Sequence, residues 1–203
     1  MVYQICRTIL WTLCKLCFRC EIKYKENLPK KGPFIIASNH ASFADPSVLS
    51  GITKEQIHFV ARESLFTNWF TKWWAAAVGI ITIKMGRFDL SAIKGTLEHL
   101  AKGEIVALFP EGSRSNDGII KEPKGGVGFV AAKASVPVVP VFIKGTDKAL
   151  PIEANFIRFA KVKVMVGKPV EPKMFLDKNG NCDYQALSQE VMDRIAKFSR
   201  DEN

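Results

Sequence analysis

The chain reads as a single α/β domain: a mixed, mostly parallel central sheet flanked by helices, preceded by an amphipathic membrane-associating helix. Short apolar runs at residues 34–38, 57–61, 80–83, 105–109, 137–143 and 162–166 alternate with stretches of helical periodicity. Two of those runs, 34–38 and 105–109, open directly into segments rich in polar side chains, glycine and proline. An open sheet gathers its reactive loops at the carboxyl ends of its strands, so these two segments are where chemistry is expected. With 203 residues, 47% of them hydrophobic, the chain is long enough for one full core and short for two.

Residues 1–20 form the first unit and 21–203 the second. At about 100° per residue, Val2, Ile5, Cys6, Ile9, Leu10, Leu13, Leu16 and Cys17 gather on one side of a helix. Gln4, Arg7, Thr8, Thr12, Lys15 and Arg19 gather on the other, with Trp11 and Phe18 intruding. A spanning helix needs about 20 predominantly apolar residues, and these internal cations break that requirement. The segment also lacks the basic start, unbroken apolar core and small-residue cleavage site of a signal peptide. It reads as a helix lying in a membrane interface, against the alternative of an amphipathic helix packed on the domain.

Residues 21–25 alternate as an edge strand does, and Pro29, Gly32 and Pro33 then break the chain. Residues 34–38 are a buried strand, 46–51 a short helix and 57–61 another strand. Phe66, Trp69, Phe70, Trp73 and Ala77 follow helical spacing, which suits either a core face or a tryptophan-rich membrane interface. Residues 80–83 are a strand. Asp89 caps a helix over 90–102 that Gly103 ends. Strand 105–109 is followed by a small-residue helix from Gly125-Gly126 to Ala134, strands 137–143 and 162–166, and a charged helix over 183–200.

The charge balance is 29 basic against 20 acidic residues, a formal net charge of +9. Such a surplus suits anionic membrane surfaces, anionic thioester donors or nucleic acid, and does not choose among them. The lysines are spread along the chain, and neither zinc-finger spacing nor an RNA-binding aromatic signature is present, so nucleic acid is not expected as a partner. Cys14, Cys17 and Cys20 have a superficial iron–sulfur spacing without the Cys-Pro that completes it. They read as reduced thiols serving as small apolar side chains. No His, Cys or carboxylate cluster has ligand spacing, so no metal is expected.

The loop after strand 34–38 reads Asn39-His40-Ala41-Ser42-Phe43-Ala44-Asp45. Histidine can take a proton from a hydroxyl, and a carboxylate on its far nitrogen fixes the tautomer and stabilises the cation. Five positions are a little over one helical turn, so the two side chains meet if a tight helical start follows the strand. The loop after strand 105–109 reads Phe109-Pro110-Glu111-Gly112-Ser113-Arg114.

Together these segments resemble the glycerolipid acyltransferase family, in particular its 1-acylglycerol-3-phosphate acyltransferases. Asn39, His40 and Asp45 match the family's Asn-His-x4-Asp motif, Phe109 to Arg114 match Phe-Pro-Glu-Gly-Thr/Ser-Arg, and Val138-Val139-Pro140-Val141 match an apolar Val/Ile-Pro-Val patch. The resemblance runs from about residue 21 to about residue 170. It departs in one place: counting from Gly79, the family's phosphate-binding arginine falls on Met85, with Lys84 and Arg87 on either side.

The resemblance implies transfer of an acyl chain to the free hydroxyl of 1-acylglycerol 3-phosphate, giving phosphatidate. The donor is acyl-coenzyme A or acyl carrier protein, with no bound cofactor. His40 is then the general base and Asp45 its partner, with no acyl-enzyme. Glu111 and Gly112 seat the acceptor's glycerol part, and Arg114 contacts its phosphate or locks the loop through an ion pair, with Lys84 or Arg87 supplying charge for that phosphate; Glu111 reads equally as a loop-stabilising acceptor. Asn39, Ser42, Phe109, Pro110 and Ser113 support the loops, and Val138, Val139 and Pro140 are acyl-chain contacts or plain core. The expected place is the cytoplasmic face of the cell membrane, peripheral or monotopic. The alternatives are the same chemistry on glycerol 3-phosphate, another lysophospholipid or a lyso-aminolipid, or a catalytically silent lipid-binding scaffold.

Overall fold

The computed structural model describes residues 2–83, 90–115, 120–151 and 156–202. Seven strands, β1 (Glu21–Lys23), β2 (Phe34–Ser38), β3 (Ile57–Arg62), β4 (Ile81–Ile83), β5 (Ile105–Leu108), β6 (Val138–Lys144) and β7 (Lys163–Val166), form one sheet. Their order is β1-β7-β6-β2-β5-β3-β4. All neighbours run parallel except β6 and β7. The predicted mixed, mostly parallel sheet is therefore what forms.

Strand β2 lies at the centre, and all five of its side chains are buried. A parallel strand covered on both faces needs apolar residues at every position, which is why Phe34-Ile35-Ile36-Ala37 reads as an unbroken run. Its alternation divides the core in two. Phe34 and Ile36 pack with Cys14 and Phe18 of α1 (Val2–Phe18) and with Val48 and Leu49 of α2 (Asp45–Leu49). Ile35 and Ala37 face α4 (Leu90–Ala101), α5 (Gly126–Ala134) and α6 (Tyr184–Asp201) through Leu100, Val127, Val130, Leu187, Val191 and Ile195. Asp183 caps α6, its side chain accepting from the Gln185 and Ala186 amides. Val138 falls in the helix-side core and Val139 in the other, while the carbonyl of buried Pro140 accepts from Gly167. Of the two readings of this patch, the valines are core.

Helix α1 docks on the domain by the edge that carries Trp11 and Phe18. Tyr3, Cys14 and Phe18 are buried, the Tyr3 hydroxyl accepts from the Ile57 amide at 3.0 Å, and Arg7 donates to the Thr53 carbonyl. Gly51 leaves room for the Trp11 ring, which a Cβ there would overlap at 2.0 Å. Its opposite apolar stripe, Ile5, Ile9, Leu13 and Leu16, stays exposed. Burial pushes the Cys14 thiol up to about 11 and the Cys20 thiol to about 12, so both remain protonated and apolar in character.

Helix α3 (Trp69–Ala77) is closed at its start by a reciprocal Asn68–Thr71 capping box. The helical spacing read there is correct, but its aromatics are not core. Phe66 just before it is buried, whereas Trp69, Phe70 and Trp73 are exposed. Asp89, expected to cap α4, lies outside the described residues.

Candidate active site

β2, β5 and β6 run side by side and parallel, so the segments leaving their carboxyl ends meet. Asn39 ties the first of them to β6: its amide donates to the Ile143 carbonyl at 2.9 Å and accepts from the Ile143 N–H at 2.8 Å. With both halves of its amide spent on the backbone of one residue, Asn39 holds the chain in place.

Asp45 opens α2 and turns its side chain back over the loop. Its Oδ2 accepts from His40 Nδ1 at 2.8 Å and from the Ala41 and Ser42 amides at 2.8 and 2.9 Å. The carboxylate is fully buried, whereas the His40 side chain is 18% exposed. A carboxylate oxygen can only accept, so Nδ1 carries the hydrogen and the lone pair sits on Nε2. The ring is stacked on Phe109 at 3.9 Å and 15°, which leaves its rotation little freedom. Ser42 is buried, its hydroxyl donating to the Leu150 carbonyl at 2.7 Å and accepting from the Ala44 amide. That hydroxyl is engaged on both sides and is no nucleophile in this arrangement.

Glu111 lies beneath both loops. It is 2% exposed, and its two oxygens accept from the His40 and Lys121 amides, each at 3.2 Å. Burial pushes its carboxyl up, opposed by those two amides. The Ser115 amide donates to the His40 carbonyl at 2.8 Å, a second tie between the same loops. Glu111 thus ties the His40 loop to the segment at Lys121. Pro110 is buried and its carbonyl accepts from Lys124. Gly112, at φ +68°, is exposed beside the Lys124 side chain, and Ser113 is half-buried on the same turn.

Arg114 stacks over Phe43 with its guanidinium carbon 3.6 Å from the ring centroid. Its buried Nη1 and the buried Asp45 Oδ1 have no hydrogen-bond partner among the described residues. Desolvation lowers the Arg114 guanidinium pKa, the Asp45 carboxylate opposes this, and the charge of Arg62 adds to it. Arg62 ends β3, exposed, on the strand next to β5. The Arg62 charge is therefore felt at Arg114. Arg62 and Phe43 carry no local motif signal, although Arg62 directly follows the strand expected over 57–61. Lys84, Met85 and Arg87 lie outside the described residues.

A buried acid, a histidine with a free outward nitrogen and an adjacent cationic pair suit proton abstraction from a hydroxyl next to an anionic group. The model of the Acyltransferase family matches residues 19–144. The chain is 33% identical over 75% of its length to a chloroplastic 1-acyl-sn-glycerol-3-phosphate acyltransferase of Arabidopsis thaliana, covering 44% of that protein. It is 28% identical to the 1-acyl-sn-glycerol-3-phosphate acyltransferase of Bacillus subtilis, covering 97% of this chain and 96% of that one. Its fold is similar to the crystal structure of a 1-acyl-sn-glycerophosphate acyltransferase from Thermotoga maritima: TM-score 0.80, 25% identity, 97% of this chain and 79% of that one. The chain spans less than half the length of the two chloroplastic relatives of Arabidopsis thaliana and Brassica napus.

Proposed function

The chain belongs to the Acyltransferase family, and from that premise we propose that it transfers an acyl group from a thioester to the free hydroxyl of 1-acylglycerol 3-phosphate, giving phosphatidate. The observation that carries this reading is the 2.8 Å bond from His40 Nδ1 to the fully buried Asp45 carboxylate, which leaves Nε2 as base. The similarity to proteins named for this activity in Bacillus subtilis and Arabidopsis thaliana supports the acceptor.

In the proposed step, His40 Nε2 takes the acceptor's hydroxyl proton as that oxygen attacks the thioester carbonyl. Asp45 stabilises the imidazolium. The tetrahedral intermediate collapses, the carbon–sulfur bond breaks, and the departing thiolate recovers the proton from Nε2. The donor is acyl-coenzyme A or acyl carrier protein, and no acyl-enzyme forms. Arg62 and Arg114 receive the acceptor's phosphate, since a guanidinium fork matches two phosphate oxygens. Met85 at the place of the family's arginine favours a second reading, the same chemistry on a different acceptor.

The reaction takes place at a membrane surface. Among the described residues no helix is long and apolar enough to cross a bilayer. The exposed stripe of α1 is continued by exposed Phe156, Ile157 and Phe159, because the Ala160 and Val162 amides donate to the Cys17 and Phe18 carbonyls. The Arg158 amide bonds to Ala149, and Leu150 receives the Ser42 hydroxyl, so the apolar surface reaches the His40 loop. An apolar strip on a chain of net charge +9 suits the anionic cytoplasmic leaflet.

The test offers labelled acyl-coenzyme A and acyl carrier protein with lysophosphatidate, glycerol 3-phosphate and a neutral lysophospholipid to wild type and Arg62→Ala. Transfer to lysophosphatidate, reduced in the variant mainly through the acceptor's KM, supports the proposal. Transfer only to the neutral lysophospholipid, whose phosphate is capped by its headgroup, refutes the assignment of Arg62 and Arg114 to a phosphate monoester.

A further inference from the structure

Three side chains from separate elements converge at the end of the sheet opposite His40. His58 is the second residue of β3, His99 lies in the last turn of α4, and Glu104 directly precedes β5. Their ligand atoms all lie within 4.8 Å of one another. The two imidazoles are stacked, centroids 4.0 Å apart. His99 Nδ1 is 2.5 Å and His58 Nε2 3.4 Å from the same oxygen, Glu104 Oε2.

The protonation of His58 follows from its other nitrogen. Nδ1 lies 2.8 Å from the Gly79 carbonyl, which can only accept, so Nδ1 carries a hydrogen. Gly79 sits at φ +74°, and a Cβ there would come within 2.6 Å of that nitrogen, so glycine is what lets the carbonyl meet the ring. His58 Nε2, its other nitrogen thus engaged, faces the Glu104 carboxylate oxygen at 3.4 Å, with the stacked His99 ring beside them. A cation between the three takes all of them as ligands. Ligands about 2.0–2.1 Å from a tetrahedral ion stand roughly 3.3 Å apart, close to the His58–Glu104 separation. The 2.5 Å His99–Glu104 contact is a hydrogen bond, so the ion requires its hydrogen to move from His99 Nδ1 to Nε2 and the contact to widen; the Glu104 side chain, 39% exposed, has room to turn.

We propose that His58, His99 and Glu104 bind a divalent transition-metal ion of the zinc class, with solvent as the fourth ligand. Two imidazoles and one carboxylate suit zinc and its neighbours; calcium and magnesium prefer all-oxygen sets. The Gly79 carbonyl is the outer partner that orients a liganding histidine. The ion pins the entry of β3, the end of α4 and the entry of β5 together, far from the acyl-transfer site, so its role is structural. It would not have been found from sequence, since the three residues share no local spacing.

The test uses the full chain stripped with a chelator, titrated with zinc, then with cobalt as a spectroscopic substitute. One zinc per chain, a raised melting temperature, and cobalt d–d bands without thiolate charge transfer are expected. His99→Ala and Glu104→Gln should each weaken binding by more than the ~10–100-fold that losing an outer partner costs. A thiolate band would place the metal on the cysteines and overturn the proposal. So would equal affinity in both variants, or no binding, which would leave a carboxylate bridging the histidines through protons alone.

Discussion

Replacing Glu111 by glutamine separates two roles for that residue. The buried carboxylate accepts one bond from the His40 amide and one from the Lys121 amide, each at 3.2 Å. Glutamine keeps one oxygen and presents an NH2 group where the second stood, so one backbone N–H meets a donor. Stranding a buried donor costs about 1–3 kcal/mol. The amide is also spared the burial penalty that pushes the carboxyl up, which brings the net loss toward the lower part of that range. For a chain of this length each kcal/mol moves the melting temperature by roughly 2–4 °C, so a fall of roughly 2–8 °C is expected. If His40 shifts with its amide, kcat falls by up to ~10²-fold, the effect of a misplacement of about 1 Å. The acceptor's KM should stay within about twofold of wild type, because Glu111 touches only backbone. Calorimetry with steady-state kinetics on E111Q reads all three quantities. A KM raised tenfold at an unchanged melting temperature would refute the tie and restore the acceptor-seating role that the family resemblance implies.

Three further outcomes are expected. Ser42→Ala loses the bonds to Leu150 and Ala44 but should retain measurable transfer, whereas a collapse to background with the fold intact would make Ser42 a nucleophile. Ile9→Lys with Leu13→Lys, both on the exposed stripe of α1, should leave the melting temperature within about 2 °C and weaken sedimentation with anionic liposomes; undiminished sedimentation would move the contact to Trp69, Phe70 and Trp73. Glu202 is held down to about 2 by hydrogen bonds from Lys163 and Lys23. A depressed carboxyl stabilises the fold above its ordinary value of 4.5 and loses that contribution as pH falls toward 2, so Glu202→Gln should be less stable than wild type at pH 6 and indistinguishable near pH 2. A gap between the two that persists at pH 2 would contradict this.

The centre of the sheet is legible because its strands are buried enough to need a nearly pure apolar run: Phe34 to Ala37 and Ile105 to Leu108 announce themselves. The order and direction of the strands are not, since the antiparallel β6–β7 pair obeys no local pattern. Helix α1 shows the limit of periodicity. Its stripe is real, but which edge meets the domain depends on Gly51 admitting Trp11, a fact of tertiary fit. At the site, His40 and Asp45 are readable because both sit in one short loop. The charge of Arg62 bears on Arg114 only because β3 lies beside β5, and the amides that Glu111 accepts from, among them that of His40 in another loop, have no signature in the sequence. His58, His99 and Glu104 come together through topology alone.

The central claim, that His40 is the base of an acyl transfer to lysophosphatidate, is met most directly by single-turnover transfer with wild type and His40→Ala at matched melting temperature. The wild type should yield phosphatidate, and the variant should be at least ~10²-fold slower, the contribution of a general base. An undiminished rate in H40A would contradict it.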